Sequence, residues 1–260
     1  MGPHKLFSSP VDYIPLYNSM VEEISHADCP EILYKYMSLD AAIAAVEGLT
    51  LCYTPPKDFD DIFELFKIGT VSHEDGKTVN PISAFMRAIQ ESDVLTKLSE
   101  SIGVSCFSDK STINTMWSLY ADHHKGIVIG YKSEYLFPLS AVRYVSTEEE
   151  EEDFSSNVQN AQYMIFTKTN DWAWQREYRS IERLENLKKS GQKHIKILPK
   201  DAIAEIYIGA MLNEVYNPPN EKVFDFNDAI SRNCKNVSIF ACMKHLTERG
   251  RIDIVPVQQQ

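Results

Sequence analysis

The strongest constraint on the fold is a train of short β-branched and aromatic runs that recurs along the whole chain. Leu33–Met37, Leu49–Tyr53, Gly103–Ser108, Ile127–Tyr131, Ala141–Val145, His194–Leu198, Ala204–Ile208, Val237–Met243 and Arg251–Val257 have strand length and strand composition. Between them lie segments with apolar residues at helical spacing: Tyr17–Ile24, Ala41–Val46, Ile82–Leu98, Asn114–Tyr120, Asn157–Phe166 and Asn227–Cys234. Ser38 offers an N-cap to the second of these, and Gly48 a stop. Strands outnumber helices, and no internal repeat is visible. The expectation is an α+β fold: one domain over residues 31–260 with a mixed or antiparallel sheet and flanking helices, preceded by a leader over residues 1–30.

Size and charge narrow the function. A chain of 260 residues with 43% hydrophobic content can bury one substantial core. Its 26 basic and 37 acidic side chains leave a net charge of −11, which argues against a general electrostatic grip on nucleic acid but leaves room for a local basic patch. Part of the acidic excess is one run, Glu148 to Asp153, read as a solvated loop. The five cysteines, Cys29, Cys52, Cys106, Cys234 and Cys242, include no C-x-x-C pair. That points away from disulfides and zinc and towards a cytoplasmic protein. Neither a signal-peptide pattern nor an apolar window of membrane-spanning length is present, so no membrane association is expected.

The richest chemistry sits in residues 166–179, where two tryptophans, Trp172 and Trp174, accompany Lys168, Gln175, Arg176, Glu177 and Arg179. Read as a strand, its second half points Gln175, Glu177 and Arg179 to one face and Trp174, Arg176 and Tyr178 to the other. Unpaired buried charge is costly, so that polar face is expected to meet solvent or a ligand. Two more polar clusters lie on or after strands: Tyr34-Lys35-Tyr36, and Ser105 with Ser108. Residues of these types can share one chemistry, attack at an electron-poor sugar carbon. A carboxylate stabilises an oxocarbenium-like transition state, aromatic faces stack a ring, and a cation with hydroxyls grips a diphosphate. An acidic loop with Asp58, Asp60, Asp61 and Glu64 offers metal ligands, but it lacks the glycine-turned EF-hand spacing, and helix capping by Asp60 or Asp61 is the simpler reading. No metal is expected there.

The ordered set of motifs resembles the bacterial family called domain of unknown function 2971. Tyr34-Lys35-Tyr36-Met37-Ser38-Leu39, Pro56 through Glu64, Ser105 through Ser108, Met116 through Gly126, Trp172 through Arg179, and Ile206-Tyr207-Ile208-Gly209 carry the likeness over about residues 32–257. Phe59-Asp60-Asp61-Ile62-Phe63-Glu64 stands where the family usually has Phe-Asn-Asp-Pro-Phe-Glu, and Gln175 where it usually has a first glutamate. More distantly, the order Tyr34-Lys35-Tyr36, Ser105 to Ser108, then Gln175-Arg176-Glu177 is similar to the motifs of ADP-ribosyltransferases, which split NAD over a sheet-lined cleft.

That resemblance implies an ADP-ribosyltransferase-like fold with NAD as the substrate. It makes Glu177 the group that holds the nicotinamide ribose and stabilises the oxocarbenium, and Gln175 the group that orients the acceptor. Ser105 would buttress Glu177, and Lys35 or Tyr34 would bind the diphosphate or ribose. The implied NAD-binding set is Tyr34, Lys35, Tyr36, Ser105, Ser108, Trp117, Tyr120, Trp172 and Arg179. The setting it implies is a bacterial toxin or anti-phage defence effector with an unidentified acceptor. Two alternatives stand beside it. One is a non-catalytic module that meets an antitoxin or defence partner through Trp117, Trp172 and Trp174. The other is a metal-dependent nuclease or phosphoesterase using Asp60, Asp61 and Glu64.

Overall fold

A computed structural model describes residues 12–24, 29–59, 93–146, 157–212, 221–234 and 236–257. In chain order the first half comprises α1 (Ile14–Glu22), β1 (Ile32–Met37), α2 (Leu39–Gly48), β2 (Thr50–Tyr53), α3 (Asp93–Ser101), β3 (Ile102–Ser108), α4 (Asn114–Tyr120) and β4 (Ile127–Lys132). The second half comprises β5 (Leu139–Ala141), β6 (Arg143–Val145), α5 (Asn157–Phe166), β7 (Thr167–Thr169), β8 (Glu177–Arg183), β9 (Lys188–Ser190), β10 (Lys193–Ile197), β11 (Ile203–Ile208), α6 (Glu221–Asn233), β12 (Ser238–Lys244) and β13 (Ile252–Pro256). The fold is α+β, as the strand-rich pattern implies. The expected strand over Ala141–Val145 is instead two three-residue strands on either side of Val142. Of the expected helix over Ile82–Leu98, the part before Asp93 lies outside the described residues.

Eight strands form the main sheet in the order β13-β12-β11-β4-β1-β3-β8-β5. Every neighbouring pair is antiparallel except β11 with β12. A second sheet has the order β2-β10-β9, and β6 pairs with β7 in parallel. The main sheet is nearly divided in the middle. β1 pairs along its whole length with β4, but it meets β3 only at Tyr34 opposite Ser108. Beyond that point the strands part, and Thr54, just after β2, bridges to Val104 of β3.

Alternation along the central strands sorts the side chains. Ile127, Ile129 and Tyr131 of β4 join Leu33 and Met37 of β1 in a core covered by Ala42 and Val46 of α2 and Phe226 and Ile230 of α6. Val128 faces the other way, into a cluster with Tyr36, Trp117, Tyr207 and Cys242. A third cluster joins Ile102, Val104 and Ile181 to α1 and α5. Each fully buried aliphatic side chain contributes about 1.5–3 kcal/mol. Leu16, Tyr17, Met20 and Ile24 belong to that third cluster, so this part of the segment read as a leader is built into the core.

Local chemistry sets the ends of α2. Ser38 caps it by accepting from the Ala41 amide at 3.4 Å. Its C-terminus is not set as expected. Gly48 is still helical, and Leu49 takes the left-handed conformation at φ 46°. Glycine is required elsewhere. A Cβ at Gly126 would lie 2.2 Å from the Met37 carbonyl oxygen, so only glycine lets the turn after α4 pass beneath β1.

Candidate functional site

The parting of β1 and β3 opens a cavity of about 750 Å3. Within it the structure brings together Tyr34, Lys35 and Tyr36 from β1, Tyr120 from α4, Trp172 and Gln175 from the turn before β8, and Glu177 from the start of β8. Ser105, Ser108, Trp117 and Arg179 do not line it; all four are buried behind its wall.

Lys35 spans the gap between the strands. Its ammonium donates to Ser105 Oγ at 3.1 Å and to the Cys106 carbonyl at 2.9 Å, and it lies 5.2 Å from the Phe107 ring centroid. Both acceptors are neutral, and burial lowers the Lys35 pKa, with partial relief from Cys106, Cys52 and Glu177. Ser105 is thus engaged with Lys35 and does not buttress Glu177. Tyr34 is fixed at the lip by donating from its hydroxyl to Glu205 Oε2 at 2.9 Å, an oxygen that also accepts from Tyr207 at 2.8 Å. The Tyr36 hydroxyl donates to the Lys110 carbonyl and accepts from the Ile113 amide, which orients its ring.

The polar face of the 166–179 stretch departs from expectation in two ways. First, Gln175 is not on the strand. Residues 170–175 form a 3-10 helix, and Arg176 turns the chain into β8 in a left-handed conformation at φ 50°. A non-glycine residue held there costs on the order of 1–3 kcal/mol. Asp109 holds it, accepting from Arg176 Nε and Nη2, each at 2.5 Å. Second, the face is not solvated. Gln175, Glu177 and Arg179 are 4%, 5% and 0% exposed.

Such burial requires partners, and they are present. Arg179 Nε donates to Glu177 Oε1 at 2.7 Å, Arg179 Nη2 to Oε2 at 3.4 Å, and Arg179 Nη1 to the Ile165 carbonyl at 2.5 Å. Lys168 Nζ lies 2.8 Å from Glu177 Oε2 and donates to Gln175 Oε1 at 2.8 Å. Gln175 Nε2 donates in turn to the Tyr120 hydroxyl at 2.9 Å, and Ser108 Oγ to the Gln175 carbonyl at 2.7 Å. Burial alone would raise the Glu177 pKa, but Arg179 and then Lys168 outweigh it and hold the carboxyl at about 2. Glu177 is therefore a fixed carboxylate at neutral pH.

No family model matches the chain, and no curated protein and no solved structure matches it. The residues of the cavity therefore carry the functional reading by themselves.

Sequence reasoning missed three parts of this wall. Lys168 sits in the singled-out stretch, yet in Thr-Lys-Thr it reads as a surface residue. It is buried because β7 pairs with β6 and brings it under Trp172, whose ring centroid is 5.3 Å from Nζ. Cys106 lines the cavity beside Glu177, and burial pushes its thiol up to about 12. Phe59 also lines the cavity and lies over the Arg179 guanidinium at 5.4 Å. The three-tryptophan partner surface is not formed, because Trp117 is fully buried and donates from Nε1 to the Ser111 carbonyl. Trp172 and Trp174 are half-buried, with ring centroids 5.9 Å apart. Of the acidic loop, Asp58 is exposed at the cavity lip, while Asp60, Asp61 and Glu64 lie outside the described residues.

The described residues contain no helix long and apolar enough to cross a membrane.

Proposed function

We propose that this chain binds NAD in the cavity and splits it between nicotinamide and ribose, as an ADP-ribosyltransferase-like enzyme. The observation that carries this reading is the convergence of Tyr34, Lys35 and Tyr36 with Gln175 and Glu177 on one cavity at the division of the sheet. The volume falls within the ~300–1,000 Å3 of ordinary small-ligand sites. Aromatic side chains offer stacking faces for the adenine and nicotinamide rings.

The chemistry asks for a fixed negative charge at the ribose. When the carbon–nitrogen bond breaks, its electron pair leaves with nicotinamide, which becomes neutral, and the ribose carbon becomes an oxocarbenium. Glu177 would face that carbon and offset its charge. Water or an acceptor hydroxyl then forms the new bond at the same carbon and loses its proton to solvent. The Glu177 oxygens already accept from Arg179 and Lys168, but each carboxylate oxygen can accept more than one hydrogen bond, so a ribose hydroxyl can still donate. The proposed setting, a toxin or defence effector with a partner protein, rests on the family resemblance alone, and the proposed cytoplasmic location on the cysteine usage.

One observation favours a second reading. Two cations clamp Glu177, which weakens its field at a developing positive charge. On this reading the chain is a binding module that holds a nucleotide without cleaving it.

Nicotinamide release separates the two, with mass spectrometry of treated lysate for ADP-ribose adducts. The enzyme reading expects release by the wild type and a loss of about a hundred- to a thousandfold in Glu177→Gln. Wild-type protein that binds NAD but releases nothing and modifies nothing would favour the module.

A further inference from the structure

Two amines stand on the described cavity wall, and they differ in what they touch. Lys168 Nζ lies 2.8 Å from a Glu177 oxygen, and an ion pair favours the ammonium form. Lys35 Nζ meets a hydroxyl and a carbonyl, Ser105 Oγ at 3.1 Å and Cys106 O at 2.9 Å. Among the described residues no carboxylate pairs with it. The Phe107 ring centroid is 5.2 Å away. Lys35 is half-buried, so it is reached from the cavity while its end lies among protein atoms. A lysine desolvated in this way loses its proton readily, and the free amine is a nucleophile. The neutral amine can keep both hydrogen bonds with its two protons and still carry a lone pair.

The titratable groups around Lys35 come from several elements. Cys106 of β3, Cys52 of β2 and Glu177 of β8 all favour its ammonium, and burial outweighs them. Tyr34, Tyr36, Asp58, Tyr120 and Lys168 are the other titratable groups on the described wall. The two hydrogen bonds fix the nitrogen between β1 and β3, so the amine is held in place rather than swinging on a free stem. The cavity beside it, about 750 Å3, has room for a small molecule, and Phe59, Phe107 and Trp172 give it aromatic walls.

We propose that Lys35 forms an imine with an aldehyde or ketone that enters this cavity. The lone pair of the amine attacks the carbonyl carbon, and a proton passes from nitrogen to the carbonyl oxygen to give a carbinolamine. The hydroxyl then leaves with the remaining nitrogen proton as water, and a carbon–nitrogen double bond stands in place of carbon–oxygen. No oxidant or reductant is consumed. Glu177, a fixed carboxylate of the same wall, offsets the charge of the imine when it is protonated. The aromatic walls favour a carbonyl carried on a flat ring. The proposal rests on the cavity being a ligand site and not on NAD being cleaved.

Reductive trapping on the full wild-type chain tests it, with benzaldehyde and propionaldehyde as the probes and cyanoborohydride as the trap. Mass spectrometry of the digested protein reads the adduct at every lysine. At pH 7 Lys35 should be modified at least about tenfold faster than exposed lysines, which are almost wholly protonated there. The ratio of Lys35 adduct to exposed-lysine adduct should rise at least about tenfold between pH 9 and pH 7, because the free-amine fraction of an ordinary lysine falls about a hundredfold over that range. The preference should vanish in urea-unfolded protein. Faster trapping of benzaldehyde would assign the site to an aromatic carbonyl, and equal trapping to small carbonyls at large; both support the imine. Lys35→Arg should lose the fast adduct and keep the slow ones. Should that variant fail to fold, the site-by-site comparison within the wild type carries the test. A Lys35 that reacts no faster than exposed lysines, or a ratio that does not change with pH, would overturn the proposal. Nicotinamide release from NAD by a protein with an unreactive Lys35 would leave cleavage standing and remove only the imine, and a reactive Lys35 without nicotinamide release would do the reverse.

Discussion

Lys168 Nζ lies 2.8 Å from Glu177 Oε2, and the two side chains are 8% and 5% exposed. The pair is completed by Arg179 on the other carboxylate oxygen. This one contact decides how the polar stretch behaves: it is an interior network beside a cavity, not a wet strand face.

Stability should therefore fall in acid, through Glu177. Its folded pKa, about 2, is below the ordinary value of 4.5, so the native state binds fewer protons than the unfolded chain between those values. The contribution is full above the unfolded pKa and is lost as pH falls through the folded one. A shift of this size corresponds to on the order of 3 kcal/mol. Urea unfolding of the wild type should show a declining free energy from about pH 5 to about pH 2, steeper than that of Glu177→Gln. Equal slopes in the two proteins would mean that Glu177 is not held by these cations.

Tyr131 gives the opposite kind of prediction. Its hydroxyl is buried, and among the described residues no hydrogen-bond partner reaches it. A buried polar group without a partner costs about 1–3 kcal/mol. Tyr131→Phe should leave the melting temperature unchanged or raise it. A clear drop would reveal a partner for the hydroxyl in the native protein.

Gly130 links packing to the site. It lies opposite Tyr34, and a Cβ there would come within 2.9 Å of Ile32 Cγ2, 3.0 Å of Glu205 Cβ and 3.1 Å of Tyr34 Cε1. Gly130→Ala should cost about 1–3 kcal/mol by overpacking. It should also push Tyr34 from its place at the lip and weaken ADP-ribose binding. A melt and a titration on the same sample check both, and unchanged affinity would show that the Tyr34 ring does not touch ligand.

The strands were legible because their runs are short, apolar and separated by turns. Asn114–Tyr120 and Asn157–Phe166 emerge with the expected bounds. The clusters Tyr34-Lys35-Tyr36 and Gln175 to Glu177 were legible because aromatic and ionisable residues stand together where a core strand would have aliphatics. Lys168 was not, since nothing local distinguishes a buried lysine from an exposed one; its partners come from another strand and a turn. Gln175 was given the wrong local structure because the left-handed Arg176 depends on Asp109, a contact distant in sequence. Ser105, Ser108, Trp117 and Arg179 show the limit of reading motifs as sites. They stand beside the cavity and support its walls, and spacing does not separate a lining residue from one behind it.

Whether this cavity presents Glu177 to the ribose of NAD can be seen in a crystal structure of the full chain with a non-cleavable NAD analogue. The nicotinamide-side ribose carbon should lie within about 3–4 Å of a Glu177 oxygen, a near-attack distance. The diphosphate should lie on the Tyr34 and Lys35 side of the cavity. An analogue bound elsewhere, or bound here with its nicotinamide ribose turned away from Glu177, would contradict the assignment of Glu177 to the reaction.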